Sequence, residues 1–333
     1  MRKIRWGVLG AAKIATVKVI PAMQNSALCE IAAVASRDPA KAEAAARELG
    51  IARAYGSYEE LLADPEIDAI YNPLPNHLHV PWSIRAAEAG KHVLCEKPVG
   101  LNAGEVRDLI AARDRAGGVI GEAFMIQTHP QWVRATELAR NGRIGSMRGV
   151  VATFGYTNRD PCNVRNVLEW GGGGLMDIGC YPIKASRMAF GEEPVSVSGA
   201  MVRDADFGTD ILTSALLEFP SGQCVFTCST QIVPCQSVQL LGTKGRIDFE
   251  IPFNTPPARP ARIRIDDGSD ITGVNVVTEE FAPCAQYTVQ GDAFARAILA
   301  GGPPPVPLED SLQNMAVIDA VLRSVESGKR ETP

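Results

Sequence analysis

No apolar stretch of this 333-residue chain reaches the roughly 18 residues that a membrane-crossing helix needs. The opening Met1-Arg2-Lys3-Ile4 enters a strand pattern at once, without the apolar core of a secretion signal. Basic runs are missing too. The 33 Lys and Arg are interspersed among 38 Asp and Glu, for a net charge of −5. That balance excludes nucleic acid and an anionic membrane as main partners. The eight cysteines are scattered with no CxxC pair, and most lie inside apolar runs, so they read as reduced thiols of a cytoplasmic protein. There is no internal repeat.

What is present suffices for two domains: 46% of the residues are hydrophobic. In the first half, apolar strand patterns at Lys3–Leu9, Ile31–Ala35, Ala69–Tyr71 and His92–Cys95 alternate with helical patterns such as Pro39–Gly50 and Pro81–Gly90. This spacing predicts βαβ units and a parallel sheet. Pro21 is expected to kink or end the first helix. Asn102–Ala116 reads as a helix and Val119–Met125 as a closing strand.

From Met147 the texture changes to strands, including Val150–Tyr156, Val195–Val202, Thr213–Phe219 and Gln223–Thr230. Ser237–Leu241, Arg246–Glu250 and Ala261–Ile265 continue the series, and Pro220-Ser221-Gly222 forms a hairpin turn. Such a run predicts a large, mostly antiparallel open sheet with helices on one face. The expected architecture is an α/β Rossmann dinucleotide-binding domain over 1–125 and an α+β domain over 126–333. The second would serve substrate binding and oligomerisation, and its C-terminal helix can pack back on the first.

Candidate chemistry sits at strand ends. Gly10-Ala11-Ala12-Lys13-Ile14-Ala15 follows the first strand into a helix, as a dinucleotide fingerprint with alanine at two of its small positions. Gly10, Ala12, Lys13 and Ile14 are therefore cofactor candidates, on the demand for a tight turn and a small side chain beside the pyrophosphate. The second strand ends in Ser36-Arg37-Asp38, with Lys41 one turn on. Ser36, Arg37 and Lys41 favour the 2′-phosphate of NADP, while Asp38 keeps NAD possible. Asn72 to His79 holds two prolines and two histidines, with Pro75, Asn76 and His79 expected at the nicotinamide end. The histidine pair has no further ligands nearby to complete a metal site. His92 to Val99 is a buried-strand signal running into Glu96, Lys97 and Pro98, a charged pair where open α/β sheets bind ligands. In the second half, Trp170 to Pro182 carries four consecutive glycines, Asp177 and Tyr181. The glycines predict close approach of the backbone to a ligand or another chain. Pro182 places the helix start near Ile178, with its stop at Gly191.

Taken together, the Gly10 turn, Pro75-Asn76 with His79, Glu96-Lys97-Pro98 and Gly171–Tyr181 resemble the Gfo/Idh/MocA oxidoreductases over essentially the whole chain. The similar branch carries Tyr where inositol dehydrogenases carry His, and includes dihydrodiol and xylose dehydrogenases and glucose–fructose oxidoreductase. The resemblance implies that Glu96 and Lys97 contact the cofactor and that the open sheet makes a homodimer or homotetramer. It also implies His129 and Arg165 on the substrate side. Read from the residues, His129 can equally be a helix cap and Arg165 a surface-loop arginine.

The expected reaction moves hydride between a nicotinamide cofactor and a sugar or polyol. Trans-dihydrodiol oxidation and a cofactor-binding regulator without turnover are the alternatives. A tyrosine titrates near pH ~10, too high for a base at neutrality. A neighbouring ammonium and a helix amino end would lower that value. Lys97 supplies the first if the two strand-end segments face each other. Tyr181 is then the expected acid/base, with Asp177 holding the substrate hydroxyl.

Overall fold

The computed structural model describes residues 2–333 and divides into two compact units. The first runs to Thr128 and includes Ala285–Leu312; the second holds His129–Cys284 and Gln313–Pro333. The sequence expectation placed one boundary at 125/126, and the contacts place it at 128/129 with a later segment returned to the first unit.

The first unit is built on six strands: β1 (Ile4–Leu9), β2 (Cys29–Ala35), β3 (Arg53–Tyr55), β4 (Ala69–Asn72), β5 (His92–Cys95) and β6 (Ile120–Glu122). They lie in the order β3-β2-β1-β4-β5-β6, every pair parallel. The order reverses between β1 and β4, so the carboxyl ends of these strands flank the place where such sheets take ligands. Helices α1 (Ile20–Gln24), α2 (Pro39–Leu49), α3 (Tyr58–Ala63), α4 (His79–Glu88) and α5 (Ala103–Ala116) connect them. Asn102 caps α5, its side chain accepting from the Glu105 amide. The core gathers Trp6, Val8, Val34, Tyr71 and Leu94 with Phe294, whose ring centroid is 5.7 Å from that of Trp6.

Two short elements escaped the pattern. β3 has three residues and no buried one, and α3 has six. Conversely, the strand expected over Val119–Met125 pairs only at Ile120–Glu122, because Met125–Gln127 turns into a 3₁₀ helix. Pro21 does not end its helix. A π-helical turn over Ala15–Val19 precedes α1, with the Ile20 amide bonded to the Ala15 carbonyl.

The second unit is an eight-stranded sheet, β14-β13-β12-β11-β7-β10-β9-β8. The strands are β7 (Met147–Thr157), β8 (Ser196–Arg203), β9 (Asp210–Phe219), β10 (Gly222–Ser229), β11 (Gln231–Gly242), β12 (Gly245–Phe249), β13 (Ala261–Asp266) and β14 (Val277–Phe281). All pairs are antiparallel except β7 with β10. The expected hairpin joins β9 to β10, with Gly222 opposite Phe219. The strand expected over Gln223–Thr230 ends at Ser229, and Gln231 begins β11.

Alternation sorts the faces: Val150, Ala152 and Phe154 of β7 point inward while Val151 is 42% exposed. Inside, α6 (Pro130–Arg140) and α7 (Cys180–Phe190) cover the sheet. Trp132 stacks on Phe249 at 4.1 Å between centroids, and Phe253 continues the stack to Phe154 at 4.9 Å. Helices α8 (Gln286–Ala300) and α9 (Leu308–Ser327) close the chain. Among the described residues no helix is long and apolar enough to cross a membrane.

Candidate functional site

In the first unit the candidates collect at the carboxyl edge of the sheet. Gly10 leaves β1 with φ +83°, a left-handed conformation that a side chain would strain, and its amide bonds the Ala35 carbonyl at 2.7 Å. A Cβ there would lie 3.1 Å from Leu74 Cδ2, so the turn has no room to spare. The first amide-to-carbonyl bond of the following helix runs from Thr16 to Ala12, and no side chain caps that end. Open amides beside small, half-buried Ala11 and Ala12 are the cradle a pyrophosphate requires. The residues therefore fit a dinucleotide. Lys13 is exposed at this end, whereas Ile14 packs against the core.

At the end of β2, Ser36 is buried and its Oγ accepts from the Asp38 amide at 3.2 Å. Asp38 itself caps α2, taking the Ala40 amide at 3.1 Å, with Lys41 Nζ at 3.9 Å from its other oxygen. The acid that kept a bare ribose possible is thus engaged in starting a helix. Arg37 is exposed and has no carboxylate partner among the described residues.

Past β4, Pro75 and Asn76 are half-buried at the turn, and His79 is only 1% exposed. Its Nδ1 lies 2.7 Å from the Pro98 carbonyl oxygen and its Nε2 2.6 Å from that of Leu74. Burial pushes its pKa down to about 4, against the pull of the two carbonyls. A neutral ring donates to only one of them, and a doubly protonated ring donates to both. In either form His79 is turned inward, tying the loop after β4 to the loop after β5.

That second loop is also held from below. Tyr71, fully buried, donates its phenol proton to Glu96 Oε1 at 2.7 Å, and the Lys97 amide reaches Glu96 Oε2 at 3.3 Å. Burial and then the Glu96 charge hold the Tyr71 phenol well above its ordinary pKa, and the same causes push Tyr287 up to about 12. Glu96 is therefore a fixed acceptor beneath Lys97, which is half-buried at the strand end.

In the second unit, Asp177 and Tyr181 occupy successive turns of one helical run. The expected start at Ile178 is three residues late. A π-helical turn spans Leu175–Gly179, and the Cys180 amide bonds the Leu175 carbonyl. This wider turn gives the Pro182 ring the room that an α-helix would deny it against the carbonyl four residues back. The run stops at Gly191, φ +66°, as expected.

The glycines ahead of it face their own chain rather than a ligand. A Cβ on Gly172 would lie 2.5 Å from the Arg165 carbonyl oxygen, and one on Gly173 would lie 2.0 Å from Asp210 Oδ1. Asp210, buried, accepts from the Leu175 amide and from Thr213 Oγ1, both at 2.7 Å. It plugs the amino end of the run.

Asp177 is 9% exposed, and its Oδ2 takes both the Tyr156 hydroxyl at 2.6 Å and Arg165 Nε at 2.7 Å. The Asp177 charge drives the Arg165 pKa far up, and burial followed by Asp177 does the same for the Tyr156 phenol. Tyr156 stays a donor. Tyr181 is 4% exposed, edge-on to Phe154 at 5.6 Å and tilted on Phe253 at 5.3 Å, so its ring direction is fixed by packing.

His129 caps α6: its Nδ1 accepts from the Gln131 amide at 3.3 Å, and Nε2 lies 3.5 Å from Cys284 Sγ. Burial pushes its pKa down to about 4. The capping role, one of two readings open from sequence, is the one these contacts describe.

Sequence reasoning missed Tyr156 and Asp210. Tyr156 ends a strand as one more aromatic in an alternating pattern. Asp210 left a usable trace, an acid directly ahead of the apolar Ile211-Leu212.

A family model described as an oxidoreductase family with an NAD-binding Rossmann fold matches residues 4–124. A second, described as the GFO/IDH/MocA C-terminal domain, matches residues 132–248. Among curated proteins, an oxidoreductase of Rhizobium meliloti is 47% identical over the full length of both chains. The D-xylose 1-dehydrogenase (NADP(+)) 2 of Haloferax volcanii is 40% identical over 97% of this chain and 98% of its own. Among solved structures, an aldose-aldose oxidoreductase from Caulobacter crescentus complexed with glycerol superposes with a TM-score of 0.91 at 30% identity over 100% of each chain. A 3-ketoreductase from Actinomadura kijaniata in complex with NADP gives 0.90 at 30% identity, over 97% of this chain and 98% of that one.

Proposed function

This chain belongs to the Gfo/Idh/MocA oxidoreductases, with their NAD-binding Rossmann fold, and from that premise we propose that it moves hydride between NADP and a sugar or polyol. Residues up to Thr128 form the dinucleotide-binding domain in this reading, and those from His129 to Cys284 the substrate-binding and oligomerisation domain. The observation that carries the substrate class is the Arg165–Asp177–Tyr156 constellation one turn ahead of Tyr181. An ionised carboxylate flanked by a guanidinium that keeps 40% of its side chain exposed suits a polyhydroxylated ligand. The relatives named for D-xylose and aldoses lend support.

The bound nicotinamide supplies the hydride acceptor or donor. Tyr181 exchanges a proton with the substrate oxygen, taking it in oxidation and returning it in reduction. Lys97 stabilises the reacting oxygen, and Glu96, pinned by Tyr71, accepts from its backbone amide. Asp177 accepts from a substrate hydroxyl, and His129 and Arg165 line the substrate side. Gly10, Ala12 and Lys13 receive the pyrophosphate, with Ile14 seating their helix. Pro75 and Asn76 receive the nicotinamide end, and His79 holds both neighbouring loops. For the adenosine ribose, Ser36, Arg37 and Lys41 favour NADP, since Asp38 is occupied as a helix cap. The xylose dehydrogenase named for NADP(+) accords with that preference.

The oligomer in this reading is a homodimer or homotetramer through the outer face of the eight-stranded sheet. Paired Val151 and Val225 are 42% and 49% exposed there. The compartment is the reducing cytoplasm, in keeping with thiols such as Cys95, Cys180, Cys224 and Cys228 packed in the cores.

Lys97→Ala tests the mechanism. Turnover should drop about 10³-fold, far more than cofactor affinity, and near-normal turnover would end the assignment. A panel of sugars and polyols assayed separately with NADP and NAD tests substrate and cofactor together. Cofactor binding without reduction by any member would point to a regulator instead.

A further inference from the structure

A helix amino end favours the ionised form of a phenol beside it. At the helical run that carries Tyr181 that end is already taken, because the Asp210 carboxylate sits on the Leu175 amide at 2.7 Å. Asp177, one turn ahead of Tyr181, adds a second carboxylate. Both oppose ionisation of the phenol, so a tyrosine base here needs a cation to offset them.

The loop ahead of the run supplies one and fixes it through the backbone. The Gly173 amide donates to the Arg165 carbonyl at 2.9 Å, and the Asp177 amide donates to the Gly173 carbonyl at 3.0 Å. Arg165 is thereby stitched to the first turn of the run. Asn163 holds its other side, Oδ1 accepting from the Arg165 amide at 3.1 Å. A side chain at Gly172 would prevent this, since its Cβ would lie 2.5 Å from the Arg165 carbonyl oxygen. The Arg165 side chain then reaches Asp177, with Nε 2.7 Å from Oδ2. There the guanidinium feels the Asp177 charge first, and the Tyr156 and Tyr181 phenols as well. Attraction between ionisable groups is mutual, so a guanidinium that a phenolate stabilises also stabilises that phenolate.

Other titratable groups stand around the run. Burial and then Asp177 keep the Tyr156 phenol protonated, and burial does so for the Cys228 thiol of β10. His129 is a cap on α6, and α9 brings the uncharged Asn314. Arg187 is paired with Glu193 at 2.6 Å. Lys184, buried three residues beyond Tyr181, is the competing cation.

We infer that Arg165 serves Tyr181 and not the substrate alone: held against Asp177 by the glycine-bonded loop, its guanidinium offsets the carboxylates and stabilises the phenolate that takes the substrate proton. This rests on the reading of Tyr181 as the acid/base and deepens it. Arg165 is in this sense a positioning residue, acting through the phenol.

The test reads the phenol directly and needs no turnover. Full-length protein is isotope-labelled at tyrosine Cζ for NMR, and the Tyr181 signal is identified by its loss in Tyr181→Phe. In Arg165→Gln the titration midpoint of that signal should rise by about one pH unit, while in Arg165→Lys it should stay within about 0.3 of the parent. The pH limb of kcat/KM for sugar oxidation should move upward by the same amount in Arg165→Gln, a shift that loss of a substrate contact alone does not produce. Melting temperatures check that each variant is folded. A midpoint unmoved by Arg165→Gln, or moved only by Lys184→Met, would overturn the inference. If Tyr181→Phe oxidises sugars as fast as the parent, the acid/base reading fails and the inference with it. If that variant is inactive while Arg165→Gln leaves the midpoint in place, only the role of Arg165 fails.

Discussion

The helix that follows Gly10 and the one that follows Gly171–Gly174 share a local plan and serve opposite ends. Each is entered through left-handed glycine, φ +83° at Gly10 and +120° at Gly173. Each opens in a π-helical turn, and in each a proline, Pro21 or Pro182, follows within three residues of that turn. The contrast lies at the amino end. In the first helix no side chain caps the leading amides, and small residues surround them. In the second, the Asp210 carboxylate occupies the Leu175 amide. An open end with its positive potential is a seat for an anion brought from outside. A plugged end cannot take one, so that helix instead serves to present Asp177 and Tyr181. The same backbone device thus makes a binding surface in one unit and a mount for side chains in the other, according to whether the protein supplies its own carboxylate.

The sharpest way to break this comparison is to exchange the two conditions. Ala12→Asp places a carboxylate at the open end. The apo-protein should keep or slightly raise its stability, and NADP affinity should fall at least about 100-fold through charge repulsion with the pyrophosphate. Asp210→Ala does the reverse. It strands the Leu175 amide and the Thr213 hydroxyl in a buried place and should cost about 2–4 kcal/mol of unfolding free energy, with Asp210→Asn recovering much of it. Urea titrations and cofactor calorimetry on the three variants decide the matter. Unimpaired NADP binding by Ala12→Asp would mean that the Gly10 helix does not seat the pyrophosphate.

A smaller effect sharpens the second half of the contrast. Tyr156→Phe removes one donor from Asp177 Oδ2 and leaves Arg165 beside it. Sugar kcat/KM should fall about 10-fold, with cofactor Kd unmoved. If cofactor affinity falls in parallel, the constellation does not belong to the substrate side.

How far these two helices could be read from sequence follows from the range of the interactions that build them. The Gly10 turn is local: strand, glycine, small residues and helix are contiguous, so the turn is legible in six residues. The parallel sheet, and the place of Glu96 and Lys97 at a strand end, follow from βαβ spacing, which is nearly as local. The second helix was read with its start at Ile178, because Pro182 looked like a first-turn proline. What moved the start to Leu175 was a carboxylate 35 residues away in sequence, at a strand end that no periodicity singles out. The glycines read from sequence as clearance for a ligand or another chain, yet Gly172, Gly173 and Gly174 clear the Arg165 carbonyl and Asp210. Tyr156 and Asp210 act through contacts made only once the sheet is assembled. From sequence Tyr156 is an ordinary strand aromatic, and Asp210 shows only as an acid ahead of Ile211-Leu212.

His129 marks where a third helix, α6, solves the end problem in yet another way, with an imidazole. Capping the Gln131 amide requires the lone pair of Nδ1, and burial reinforces the neutral ring by holding its pKa near 4 against an ordinary 6.5. The folded state therefore binds this proton less readily than the unfolded chain does. Stability from this residue is intact above pH 6.5 and drains away as the pH falls toward 4. Between about pH 7.5 and about pH 5.5 the loss should be about 1 kcal/mol. His129→Asn keeps a capping oxygen that does not titrate, so its urea midpoint should change less over that interval than the parent's. An equal acid dependence in parent and variant would show that the cap is not what His129 contributes, leaving only its proposed place on the substrate side.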